Sequence, residues 1–295
     1  MENLIEEIRM QFASHIQGMR PLEKLPNKYG AYTFRNGVEY GVAIEADVKK
    51  EIYEEAAQIT LKTFRNLGKQ YIALSSCDEA FRNEFAKFGA SFVIPGINGD
   101  NRRTLISSPV DWWNGWIGML GNRVGTKNSY DIIAEMMALK DLFGKDNSIQ
   151  WTASRAGTHD IESPTNSYEV KSTIKKTETN VTISSRFQLD SVKPLELWFY
   201  RMEASEQGVS INDIKSDLVT VGYDENLLES QLSSKGFILG NSIRDQKYTI
   251  LERRKYIVDD KFPRIVESSF KNDVYPKNIT KILYTIDLEG IDYTI

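Results

Sequence analysis

Three residues of this chain, Asp160, Glu169 and Lys171, have the types and spacing to act together on one substrate atom; they lie in the stretch "HDIESPTNSYEVKST". Two carboxylates that reach one point can hold a divalent cation, which polarises a phosphate and acidifies a water. A lysine beside them can orient or deprotonate that water. Residues two apart on a strand project to the same side, so Glu169 and Lys171 share one face while Tyr168, Val170 and Ser172 share the other. Asp160 precedes a polar turn and can return to the same place from a neighbouring strand. The chemistry of this D-x(8)-E-x-K spacing is metal-assisted hydrolysis of a phosphodiester. The plain alternative is a salt-bridged hairpin on an ordinary domain.

Spacing alone does not decide between them, because the acid-x-Lys half recurs at Asp47, Asp213, Asp245 and Asp259. No aspartate precedes Asp47. Asp213 lies in a helical pattern, where residues two apart diverge by about 200°. Asp245 falls in the turn-like "GNSIRDQK", and Asp259 ends a strand just before Phe262-Pro263. Only Glu169-Val170-Lys171 reads as mid-strand with an aspartate at hairpin distance.

The elements around it can be read from periodicity. Ser129 is placed to cap a helix whose first turn carries Asp131. Ile132, Met136, Leu139 and Phe143 form its apolar stripe, flanked by Ile133 and Leu142. Glu135 falls inside that sector, where a carboxylate is costly unless paired or bound to a cation. "VTISSRFQLD" reads as the next strand, with Arg186 and Gln188 alternating on it, and "PLELWFY" as a third. Upstream, the pattern predicts a helix over 1–18, a hairpin at Asn36-Gly37, a helix-like segment over 49–67, a strand at 71–75, a helix over 79–88 and a loop over 95–103. The tryptophan-rich "VDWWNGWIGML" reads as a packed junction between domains. Downstream, Ser210 caps one helix, Asp224-Glu225 opens another that Gly236 stops, and "GFIL" and "YTILERRKYIV" read as strands. Two helices and a strand pair give a winged-helix outline. Arg253-Arg254-Lys255 reads as a solvated strand face.

Composition narrows the chemistry. The chain has 295 residues, 41% hydrophobic and 26% charged, with a net charge of −4. That charge excludes binding nucleic acid by bulk electrostatics and requires a local basic strip instead. One cysteine, Cys77, and two histidines, His15 and His159, exclude a thiolate or histidine-rich metal site, so any metal has oxygen ligands. The longest apolar runs fall far short of the roughly 20 residues that cross a bilayer. With an acidic, amphipathic start in place of a secretory signal, a cytoplasmic location without membrane contact is expected.

From Ser129 onward the order of motifs resembles the PD-(D/E)XK nuclease superfamily: a helix with Glu135, then Asp160, then Glu169-Val170-Lys171, then a strand and "QLD". It is similar in particular to a bacterial restriction- and phage-defence-associated family with "W-x-G…D…(I/V)EVK(T/S)", a strand ending "QLD" and a late "FPRI…Y…I-D-L" block, over roughly residues 110 to 290. The chain departs from that pattern at Ala153, where the family often has glycine, and at His159, where it has proline.

The resemblance implies an α/β restriction-endonuclease-like core, a mixed sheet flanked by helices, at 126–205. It would lie between an N-terminal α/β unit at 1–125 and a C-terminal helix/strand unit at 206–295. It implies a Mg²⁺-dependent endonuclease, with Mn²⁺ as substitute. Asp160, Glu169 and the Val170 carbonyl would hold the cation, Lys171 would act on the water, and Glu135 would bind a second cation or hold Lys171. Arg186, Gln188, Lys193 and Arg201 are the expected DNA contacts. The implied partners are double-stranded DNA, a methyltransferase or ATPase encoded nearby, and a second copy in a homodimer. The rival expectation is a non-catalytic or partner-dependent subunit that keeps the fold for binding.

Overall fold

This computed structural model describes every residue except 57, 121–127, 153–158 and 280, and of 117–120 and 186 it describes the backbone alone. The expected boundary at 125/126 and the departure at Ala153 therefore lie outside the described residues. The chain forms two compact units, Met1–Thr126 with Leu239–Ser242, and Lys127–Ile238 with Ile243–Ile295.

The first unit is a six-stranded antiparallel sheet in the order β1-β2-β3-β6-β5-β4. Its strands are β1 (Gly18–Pro21), β2 (Tyr32–Asn36), β3 (Glu39–Glu45), β4 (Tyr53–Ala56), β5 (Ile59–Asn66) and β6 (Lys69–Ser76). Helices α1 (Glu2–Ala13) and α2 (Arg82–Val93) place Ile8, Phe12, Phe85 and Ala90 in one core with Val42, Ile44, Leu61, Ile72 and Leu74 of the sheet. The predicted hairpin forms, with Gly37 at a positive φ of 61°. The helix expected over 49–67 is instead the β4–β5 hairpin. Ile59 and Leu61 alternate into the core, and Leu67 and Gly68, both at positive φ, turn the chain into β6. The loop expected over 95–103 ends early, because Asp100 opens α3 (Asp100–Ser107). The tryptophan-rich stretch is α4 (Pro109–Leu120). Its Trp113 belongs to this unit's own core, and Trp112 stacks on Trp116 at 5.5 Å.

The second unit carries the candidate chemistry on a five-stranded mixed sheet, β12-β11-β9-β8-β7. Its members are β7 (Gln150–Trp151), β8 (Ile161–Glu162), β9 (Ser167–Thr173), β11 (Leu195–Val209) and β12 (Tyr248–Ile257). β9 and β11 run parallel, and the other neighbours antiparallel. On one face Tyr168, Val170, Trp198 and Tyr200 pack with Ile132, Ile133, Met136 and Leu139 of α5 (Ser129–Phe143). Leu197 and Phe199 face the other way, into a core with Val181 of β10 (Asn180–Ile183) and Ile286 of β13 (Tyr284–Asp287). This is the mixed α/β architecture of a restriction-endonuclease-like fold.

Several expectations change here. The strand after β9 is only β10, which leaves the main sheet to pair with β13; Arg186 to Leu189 form a short 3₁₀ turn instead of strand. Asn128, not Ser129, is the cap residue of α5, and the Ser129 hydroxyl instead donates to Gln246 at 2.7 Å. The segment from 206 onward adds α6 (Ile211–Thr220), α7 (Glu225–Ser234) and β12 to the same unit as the sheet that carries Glu169 and Lys171. No wing forms, because β12 pairs along β11 and "GFIL" makes no strand: Gly236 turns at a φ of 83° and Phe237 enters the core. Arg253 bonds Asp141 of α5, Arg254 bonds Glu252, and Lys255 lies 4.3 Å over the Trp198 ring, so that strand face is engaged with its own unit.

Helix α6 backs α5, and its start is fixed by a reciprocal cap. The Asp213 N–H donates to Ser210 Oγ at 3.1 Å, and the Ser210 N–H to Asp213 Oδ2 at 3.0 Å. Ser210→Ala should therefore cost about 1 kcal/mol of stability, read as a lower denaturant midpoint at unchanged slope.

Candidate active site

The site is assembled from a turn, a strand edge and a helix. Ser163 closes the tight turn between β8 and β9: its N–H donates to the Asn166 carbonyl at 2.8 Å, and its hydroxyl oxygen accepts the Asn166 N–H at 2.8 Å. The ladder pairs Ile161 with Tyr168, so Asp160 comes next to Glu169 one step along. Asp160 Oδ2 accepts the Val170 N–H at 2.8 Å, and the Thr152 N–H donates to the Asp160 carbonyl at 3.0 Å. Lys171 Nζ donates to Glu169 Oε1 at 2.7 Å. Register with Leu197 and Phe199 places both side chains on one face of the sheet, as the alternation predicts. Val170 and Ser172 face α5, where the Ser172 hydroxyl donates to Asp131 in the first helical turn.

Glu135 comes to the same neighbourhood from α5 and is buried, 9% exposed. It does not hold Lys171. Its Oε2 accepts the Trp151 indole N–H at 2.8 Å, and Lys235 Nζ donates to both its oxygens, at 2.9 and 2.6 Å. The Lys235 ammonium also lies 5.4 Å over the Trp151 ring. Gln231, one turn earlier on α7, donates to the Trp151 carbonyl at 2.6 Å. Sequence reasoning missed Lys235 and Gln231: a lysine before a helix-stopping glycine reads only as a favourable helix end, and nothing local ties it to a residue 100 positions earlier.

Burial dominates the electrostatics. Glu169, 1% exposed, is pushed up from 4.5 to about 8, first by burial and then by the Asp160 charge, and these outweigh Lys171. Glu135 is pushed up to about 7 for the same two reasons, against the pull of Lys235. The salt-bridged surface hairpin is thereby excluded, since one partner of the pair is inside the protein.

A hard cation fits these donors. The bonds among the described residues engage Asp160 Oδ2 and Glu169 Oε1 and leave Asp160 Oδ1 and Glu169 Oε2 without a partner. A buried carboxyl raised by a neighbouring negative charge, as Glu169 is by Asp160, is relieved by positive charge at that point. No three His, Cys, Asp or Glu side chains converge to hold a metal among the described residues. Mg²⁺ commonly takes one or two carboxylates and keeps several waters, so two acids suffice.

The expected DNA contacts are placed as follows. The Arg186 side chain lies outside the described residues. Gln188 sits in the 3₁₀ turn and accepts the Ser184 N–H at 2.8 Å. Lys193 bonds Glu162 Oε2 at 2.8 Å. Arg201 is buried, bonded to Glu252 at 3.0 Å and to the Glu178 carbonyl at 3.0 Å. Lys193 and Arg201 thus hold internal partners. His159 is buried with Nδ1 at 3.1 Å from Glu162.

The raised carboxyls give the fold a pH signature. Between pH 4.5 and about 8 the folded protein without metal holds protons that the unfolded chain has released, so stability should fall as pH rises through that window. Carboxyls held low, such as Glu229 at about 2, change stability only below it. Glu169→Gln, uncharged at every pH, should flatten the slope. Denaturant unfolding at pH 5 and pH 8.5 checks this, and wild-type stability that rises between them would contradict it.

The model of a family described as "Putative PD-(D/E)XK family member, (DUF4420)" matches residues 47–289. No curated protein and no solved structure matches the chain.

Proposed function

This chain belongs to that PD-(D/E)XK family, with its nuclease-like fold, and on that premise we propose that it is a Mg²⁺-dependent DNA endonuclease. The observation that carries the reading is the buried Glu169 paired with Lys171 beside Asp160. A binding subunit gains nothing from burying Glu169 beside the half-buried Asp160 and Lys171, where an interior acid is costly.

Asp160 and Glu169 would hold the cation through side-chain oxygens, joined by the Val170 carbonyl. The cation supplies Lewis acidity toward the phosphate and acidifies water. Lys171 is the group that orients or deprotonates the attacking water, and its hydrogen bond to Glu169 aims the ammonium along the acid's edge. Glu135, clamped by Trp151 and Lys235, stands behind the ligands as a charge-paired carboxyl. Mn²⁺ would replace Mg²⁺, since all donors are oxygen.

Double-stranded DNA is the proposed substrate, in a cytoplasmic restriction or phage-defence role beside a methyltransferase or ATPase and as a homodimer, a setting that rests on the resemblance of the Asp160, Glu169-Val170-Lys171 and "QLD" motifs to restriction-associated nucleases. Among the described residues no helix is long and apolar enough to cross a membrane. With Lys193 and Arg201 engaged internally and Lys175 paired with Glu178, the exposed Lys176, just past the strand that carries Lys171, is the cation proposed to meet a phosphate.

The test is cleavage of plasmid DNA with and without Mg²⁺. Lys171→Ala should lower the rate by about 10²- to 10⁴-fold while thermal melts show a folded protein. Asp160→Ala should abolish both cleavage and Mn²⁺ binding by calorimetry. Cleavage that survives Lys171→Ala removes the catalytic role. A wild type inert on all DNA, even with its neighbouring gene products added, favours the binding-subunit reading.

A further inference from the structure

Lys235 reaches Glu135 across 100 positions of sequence, and the way it does so bears on how many metals the site takes. Both oxygens of Glu135 accept from its ammonium, at 2.9 and 2.6 Å, and Oε2 also accepts the Trp151 indole N–H at 2.8 Å. The carboxylate is buried, and the indole ring lies 5.4 Å beneath the ammonium. α7 is fixed in turn: Gln231 donates to the Trp151 carbonyl at 2.6 Å and accepts from the Tyr223 hydroxyl at 3.1 Å. A second divalent ion at Glu135 would have to displace an ammonium that bonds both oxygens, or sit in contact with it and be repelled.

We propose that Lys235 is a resident cation of the site, a positioning residue that occupies the second-metal place at Glu135 and limits the protein to one metal ion, held by Asp160 and Glu169. The inference rests on the nuclease reading of those two acids and adds to it the stoichiometry and the residue that sets it. A fixed ammonium neutralises Glu135 without depending on the free metal concentration. It also keeps Glu135 from competing with Asp160 and Glu169 for the one ion. Lysine suits this role because its ammonium is a compact point charge that both oxygens of one carboxylate can share.

Calorimetric titration with Mn²⁺ tests it on the full chain. Wild type should bind one Mn²⁺ per chain. Lys235→Met, which keeps the stem and removes the charge, should bind two, and Lys235→Arg should return the count to one. Wild type that binds two, or folded Lys235→Met that still binds one, overturns the proposal. If Lys235→Met does not fold, Glu135→Gln decides: a loss of Mn²⁺ affinity below tenfold fits a clamped bystander, and a loss of tenfold or more makes Glu135 a ligand and overturns it. Wild type that binds no Mn²⁺ removes the metal reading itself, and the inference with it; one or two ions separate the inference from that reading.

Discussion

The rest of the second unit is arranged around the cost of burying two carboxyls, Glu135 and Glu169. An isolated charge moved into a protein interior loses several kcal/mol of hydration even after relaxation, and here two such groups lie near a third acid, Asp160. Each is met by its own donor: Lys171 for Glu169, and Lys235 with Trp151 for Glu135. Those donors fix the surroundings. Lys171 must sit two residues from Glu169 on an extended strand, Trp151 must be on the neighbouring edge, and α7 must end where its last residues reach α5. The pairs do not cancel the burial, since both acids remain above their ordinary range. What remains is a standing preference for positive charge between the acids.

How much of this was legible in the sequence follows from how local each signal is. Period two in "SYEVKST" put Glu169 and Lys171 on one face, and the 100° wheel put Glu135 among apolar residues; both placements hold. The caps at Ser210 and Asp224 were readable because a cap is a three-residue device. Residues 49–67 misled because their charged residues mimic the exposed face of a helix, while the deciding Ile59 and Leu61 alternation spans only three positions. β10 misled for a different reason. Its partner β13 begins about a hundred residues later, and pairing at that separation leaves no trace in either segment alone. Lys235 belongs to the same class of long-range fact.

Charge bookkeeping in this unit also explains why DNA contacts were hard to read from residue type. The arginines of the sheet and its helices serve internal carboxylates: Arg201 with Glu252, Arg244 with Glu229, Arg253 with Asp141. A guanidinium offers several donors in a fixed fork and suits such partly buried pairs, so arginine in a mildly acidic protein is often structural. Arg244, fully buried, makes bonds to both oxygens of Glu229 and one to Asn212. Lys176, exposed at the turn after β9, is left for solvent and phosphate.

Side-chain clamps, more than strand length, hold the aspartate in place. β7 and β8 are two residues each, too short to fix a register by ladder bonds alone. Asp160 stands at the end of one of them and Trp151 at the end of the other. What holds this edge is a set of bonds from outside these two strands: the Thr152 N–H to the Asp160 carbonyl, the Val170 N–H to the Asp160 carboxylate, Gln231 to the Trp151 carbonyl and the Trp151 indole N–H to Glu135. Catalytic geometry tolerates errors of only about half an ångström. α5 and α7 grip Trp151 from both sides, through Glu135 and Gln231. α7, from beyond residue 205, therefore helps to hold this edge: Gln231 bonds the Trp151 carbonyl and Lys235 bonds Glu135.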